Sequence, residues 1–139
     1  MALVDFFLKV DTITGESQDS KHKGEIQLES WSWGEQNSGT FSSNLGGGAG
    51  KVQMNDFTFV KQIDQSDTAL ANACATGQHI KSAVLTCRKA GGTQLEYLII
   101  TFSDCLVSSY QIAGTGSADI LPQTNISLNF TKIQATYVS

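Results

Sequence analysis

The sequence predicts a mainly β fold: a curved, nearly closed β-barrel with one short flanking α-helix at about residues 66–76 and an extended glycine-rich loop. Three observations predict it. Apolar and polar residues alternate in several segments, which is the period of a half-buried strand. That alternation changes parity three times, between Leu28 and Trp31, between Phe102 and Cys105, and between Phe130 and Ile133. Each change calls for a β-bulge, a device that bends strands and curls a sheet towards closure. Finally, thirteen glycines against a single proline supply tight turns, and Gly46-Gly47-Gly48-Ala49-Gly50 has almost no side chains with which to pack itself.

A chain of 139 residues is expected to be one domain, 1–139, with a core of its own. A formal net charge of -4 argues against a basic face for nucleic-acid phosphates. The N-terminus has no basic region and no long apolar run, so neither a signal peptide nor a membrane insertion is expected. Cys74, Cys87 and Cys105 are odd in number and contain no C-x-x-C pair, which fits reduced, buried thiols.

Taken in order, Val4, Phe6, Leu8 and Val10 form the apolar face of a first strand, with Asp5, Phe7 and Lys9 on the other. Residues 11–24 are polar and read as a surface loop. Ile26 and Leu28, then Trp31 and Trp33, make a strand with a bulge near Glu29-Ser30. Glu35 to Lys51 is the glycine-rich loop. Val52 to Ile63 is a strand with Phe57, Phe59 and Ile63 on one face and Val60 on the other. Ser66 to Thr76 is the helix, capped by Ser66 or Asp67 and ended by Gly77 in the left-handed conformation. Ile80 to Lys89 is a strand, Lys89 to Thr93 a turn, and Leu95 to Ile112 either one bulged strand or two. Asn125 to Val138 closes the set.

The candidate chemistry is thin. Asp11 to Glu16 lacks oxygen ligands where a calcium loop needs them, at Ile13 and Gly15. Gly46 to Val52 misses the Walker pattern, because Gly46 is one residue too close to Gly50-Lys51 and Val52 has no hydroxyl. Asp5, Asp11, Glu16 and Asp19 read as solvated turn acids, and His22 and His79 as surface histidines. No catalytic residue, cofactor or metal is expected. Trp31 and Trp33 could form a stacking platform but suit core packing better. Ser32, Ser127, Asn129 and Thr131 are short and uncharged, where an ordinary exposed sheet carries more lysine and glutamate; a pore lining fits them.

The whole chain resembles the haemolysin-coregulated protein (Hcp) family, the tube subunits of bacterial type VI secretion systems. The resemblance lies in Phe6-Phe7-Leu8-Lys9, Gly15-Glu16-Ser17 with Asp19, Trp31-Ser32-Trp33-Gly34, Gly46 to Lys51, Phe57-Thr58-Phe59, Lys89-Ala90-Gly91-Gly92, Glu96 to Ile100 and Ser127-Leu128-Asn129-Phe130. It implies a homohexameric ring that stacks with copies of itself into a hollow tube. The tube lies inside a contractile sheath, is capped by a trimeric spike protein, and carries and chaperones small effectors in its lumen. Such a subunit is no enzyme; it is assembled in the bacterial cytoplasm and secreted without a signal peptide. The resemblance makes Leu45, Gly46, Gly47, Gly48, Ala49, Gly50 and Lys51 the contact loop between rings or subunits, with Ser32 facing lumen and cargo and Gly91 and Gly92 at a ring edge. The chain stops at Ser139, so no C-terminal effector domain is expected. A phage-tail-tube-like protein and a monomeric ligand-binding β-barrel are the other readings.

Overall fold

The computed structural model describes residues 4–37, 51–91, 93–116 and 120–139. In chain order the elements are β1 (Val4–Val10), β2 (Ile26–Leu28), β3 (Ser30–Ser32), β4 (Glu35–Asn37), β5 (Val52–Met54), β6 (Phe57–Gln62), α1 (Ser66–Thr76), β7 (Ile80–Lys89), β8 (Glu96–Ala113) and β9 (Gln123–Tyr137). Seven strands form an antiparallel sheet in the order β2-β1-β7-β8-β9-β6-β3, and β4 and β5 form a separate two-stranded ribbon. The two outermost strands of the large sheet, β2 and β3, are neighbours in sequence. Glu29 lies between them, and its N–H donates to the Val60 carbonyl at 2.8 Å, extending the β3–β6 ladder. The sheet therefore closes nearly on itself, which leaves little free edge.

The first parity change is real, but its mechanism differs from the expected bulge. A bulge keeps the same partner strand on both sides. Here β2 pairs with β1, Phe6 opposite Leu28, while β3 pairs with β6, Trp31 opposite Phe59. The chain crosses from one margin of the sheet to the other at Glu29, so Ile26 and Leu28 point inward and then Trp31 does. The other two changes are one feature. Phe102 lies opposite Ile133 and Cys105 opposite Phe130, so both strands bend at the same level. Asp104 makes the bend in β8 with a φ of 53°. Residues 96–113 are thus a single strand, carrying a further irregularity between Val107 and Ser109.

Phe57, Phe59, Phe102, Leu85, Ile126 and Leu128 fill the interior and are fully buried. Phe57 sits 4.6 Å from Phe102 and 5.6 Å from Phe59 between ring centroids. Trp31 packs on Phe6 and Phe57, and Trp33 on Phe130, so both tryptophans serve the core. Ile63 does not continue the inner face of β6; it is exposed, and the inward position before it belongs to Lys61, which is completely buried. Phe7 is also buried, on the outward face of β1, because residues 11–24 lie over it as a packed second layer. Within that layer Ser17 and His22 are buried, and His22 stacks on Phe7 at 4.4 Å.

Gly15 fixes the approach of this layer. A Cβ there would lie 2.5 Å from the Glu25 carbonyl oxygen and 2.8 Å from the Ile26 Cα, both backbone atoms that cannot yield cheaply. Gly15→Ala is expected to cost about 2 kcal/mol or more in urea unfolding, within the range of substitutions that force a backbone shift. A loss under about 0.5 kcal/mol, the usual surface value, would show that the layer is not held at this point.

The helix begins and ends where expected, with Gly77 at φ 68°. Its cap is different. Gln65 occupies the capping position without a side-chain bond, and the capping oxygen comes from Asp64, which accepts the Ser66 N–H at 2.8 Å. Asp67 reaches back to accept the Asp64 N–H at 2.7 Å, reciprocally, as in a capping box.

Candidate functional site

The outward surface of β3, β6, β9 and β8 is built in rows by strand register. One row runs Ser32, Thr58, Ser127, Ser109, each opposite the next. Thr58 Oγ1 and Ser127 Oγ lie 3.1 Å apart and share a hydrogen bond. The adjacent row is Ser30, Val60, Asn125, Gln111, and the one beyond it pairs Gln62 with Gln123 and Ala113. Between Glu29 at one end and Asp56 at the other, these rows carry no charge. Charged residues make up about 25% of an ordinary globular chain and 16% of this one, so rows with none are distinctive. Ser32 is exposed at the β3 end of the first row. Thr131 is not in the rows; it sits at the bend and donates to the Ser103 carbonyl at 3.2 Å.

Ser32 borders a surface recess of about 380 Å³ lined also by Trp33, Gly34, Asn55, Asp56 and Thr58. The Asp56 carboxylate is held from two strands: Asn129 Nδ2 donates to one oxygen at 2.9 Å and Ser108 Oγ to the other at 2.6 Å. Ser108 reaches it because the irregularity in β8 turns that residue outward. The buried indole N–H of Trp33 finds no partner among the described residues.

Next to the recess stands the ribbon of β4 and β5, Glu35 opposite Met54 and Asn37 opposite Val52, with all six residues exposed. Lys51 precedes β5 and is exposed. Leu45, Gly46, Gly47, Gly48, Ala49 and Gly50 lie outside the described residues, as does Gly92. Gly91 adopts φ 112°, which only glycine takes without strain.

The acids are where sequence reasoning went furthest astray. Asp19 and Asp5 are not free turn acids: Arg88, 3% exposed, donates from Nη1 and Nη2 to Asp19 at 2.9 Å each and from Nη2 to Asp5 at 3.1 Å. Arg88 hydrogen bonding, against the opposing effect of burial, pulls the Asp19 carboxyl down to about 2. His22 is buried rather than superficial, with Nδ1 3.0 Å from Glu25 and Nε2 2.8 Å from Glu96. His79 is exposed, beside Asp104. Burial pushes the thiols of Cys87 and Cys105 up to about 11, away from nucleophilic use. Among the described residues no three His, Cys, Asp or Glu are grouped to hold a metal ion, and no helix is long and apolar enough to cross a membrane.

The family model described as "Type VI secretion system effector, Hcp" matches residues 7–137. The chain belongs to the Hcp family. It is 47% identical over 135 residues to Protein hcp1 of Pseudomonas aeruginosa, covering 96% of this chain and 83% of that one. Its fold matches the crystal structure of Hcp1 from Salmonella typhimurium with a TM-score of 0.84 at 35% identity, over 99% of this chain and 88% of the other. A type VI secretion system effector from Yersinia pestis gives 0.82 at 35% identity, over 97% and 91%. The Hcp family is one of secreted structural tube proteins of type VI secretion, and this sheet with one helix is the Hcp fold.

Two surface features of this Hcp chain were legible from sequence only in part or not at all. The stretch Val52 to Ile63 reads as one strand but is two, β5 and β6, with Asp56 in the break between them, and only the register brings Ser108 and Asn129 to it. The alternation of the rows was visible within β9, but their continuation through Thr58 and Ser109 depends on pairings that sequence does not state.

Proposed function

We propose that this chain closes head to tail into a hexameric ring, and that rings stack into a hollow tube whose lumen is lined by the uncharged rows around Ser32. A contractile sheath would expel the tube under its trimeric spike, with small effector proteins carried and chaperoned inside. The observation that carries the reading is the set of charge-free rows across β3, β6, β9 and β8, from Ser32, Thr58, Ser127 and Ser109 to Gln62, Gln123 and Ala113. A lining of short hydroxyls and amides holds water and contacts cargo weakly, so that a folded passenger can both ride and leave. The ribbon of β4 and β5 supports the reading from outside the barrel. An isolated two-stranded hairpin is marginal in water, and Val52 and Met54 expose apolar surface on it. Both observations fit an arm completed by a neighbouring copy, with Leu45 to Lys51 at its tip and Gly91-Gly92 at a ring edge. A heterologous contact of this kind closes into rings when its rotation permits.

Native mass measurement and negative-stain imaging of the purified protein test this directly: annular particles are expected, and a strictly monomeric species at high concentration would refute the reading. Val52→Asp with Met54→Asp is expected to leave the barrel folded and to abolish tube growth. Tubes of ordinary length from that variant would remove the ribbon from the stacking contact. A monomeric ligand-binding barrel is disfavoured by the filled interior and the core-packed tryptophans.

A further inference from the structure

We propose that the recess beside Ser32 is a cargo-anchoring subsite that takes a cationic side chain, an arginine or lysine projecting from the carried protein. The inference rests on the tube reading above, which makes this face a lumen. Among the described residues, Asp56 is the only charged group lining the recess. Among the described residues no lysine or arginine forms an ion pair with it, whereas Arg88 and Lys61 are committed elsewhere. Its two tethers, Asn129 and Ser108, come from neighbouring strands and fix the carboxylate in place. A carboxylate has about four lone-pair sites, so acceptor capacity remains for an incoming N–H. Charge-assisted bonds of this kind are the strong ones. Ser32 and Asn55 also line the recess, and a hydroxyl or amide oxygen can accept a further N–H. The rows between Asp56 and Glu29 carry no charge, so among the described residues no other carboxylate stands within the recess lining to compete for the cation.

The test uses assembled rings and cytochrome c, a small basic protein, with its fully acetylated form as a control of the same size and opposite charge balance. Cytochrome c is expected to co-sediment with wild-type rings and its acetylated form is not. Asp56→Asn should lower the bound amount roughly fivefold or more, because copies around a ring act together. Asp56→Glu should retain most of it, and Ser32→Gln, which adds bulk to the lining, should lower it. Asp11→Asn, at an exposed carboxylate outside the recess, should change nothing. Undiminished binding by Asp56→Asn, an equal loss in Asp11→Asn, or no binding by wild-type rings overturns the proposal. If Asp56→Asn forms no rings, the carboxylate belongs to a subunit contact and the proposal also falls. Absence of rings in the wild-type protein is a separate result, which refutes the tube reading itself.

Discussion

Arg88→Ala is expected to lower the unfolding free energy by about 3 kcal/mol, the lower end of the cost of breaking a buried ion pair. The guanidinium lies on the outward face of β7, over the Phe7 ring at 4.8 Å. It joins Asp19, in the layer 11–24, to Asp5 on β1. Removing it leaves two carboxylates facing one another across a space the cation filled. Both are about one-fifth exposed, so water relieves part of that loss, which is why the lower end applies. Urea midpoints at unchanged slope would measure it. Arg88→Lys should recover less than half, since an ammonium cannot fork to both oxygens of Asp19. A loss below 1 kcal/mol for Arg88→Ala would mean that Phe7 and His22 hold the layer alone.

The pH dependence gives a second measure. The folded Asp19 carboxyl titrates near 2 against an ordinary value of 3.8. A depressed carboxyl stabilises the fold fully above its ordinary value and loses that contribution as pH falls from about 4 towards 2. The gap in stability between wild type and Arg88→Ala should therefore narrow over that window.

The contrast between what sequence showed and what it hid follows from the range of the forces involved. Strand alternation, the helix at Ser66–Thr76 and the glycine stop at Gly77 are local, and they were legible residue by residue. The bends at Asp104 and at Phe130-Ile133 were legible as two parity changes, but nothing local says that they lie opposite each other. The buried polar groups were hidden for a related reason. Lys61 and Arg88 are of types almost never fully buried unless paired. Lys61 finds its carboxylates close by in sequence, at Asp64 and Asp67, whereas Arg88 and His22 are buried because partners far along the chain satisfy them. Asp19 lies 69 residues from Arg88, and Glu96 lies 74 from His22. A period-two reading assigns such positions to solvent, as happened with Phe7 and the acids near it. The uncharged character of the Ser32 face could be read in β9 because composition alone carried it. Asp56 could not be singled out, since its position depends on an irregularity in β8.

The other large effect is expected at Lys61, where Lys61→Met and Asp67→Leu should each cost about 3–5 kcal/mol, and the two together less than either alone. The ammonium is completely buried and spends its three protons on the Gln62 carbonyl at 3.2 Å, Asp64 at 2.9 Å and Asp67. Asp67 in turn accepts from the Asp64 N–H and from the Tyr110 hydroxyl at 3.0 Å. Either single substitution strands a charge: Lys61→Met leaves two carboxylates side by side, and Asp67→Leu leaves the ammonium with Asp64 alone. The double substitution removes both charges from the most buried part of the cluster, which is why additivity must fail. Additive single losses would show that the cluster is not a unit. Titration separates the roles further. Burial pushes the Asp67 carboxyl up, but the bonds from Lys61, the Asp64 N–H and Tyr110 outweigh it and hold the group below its ordinary value. That contribution is present at neutral pH and lost in acid. In Lys61→Met the largest opposing influence is gone while burial remains, so the carboxyl rises and takes up its proton sooner. The penalty of Lys61→Met should therefore shrink as the solution is acidified. Because Asp64 and Asp67 also form the reciprocal cap of α1, the same substitution should loosen the helix N-terminus first, and amide exchange at Ser66 and Asp67 should quicken more than in β7.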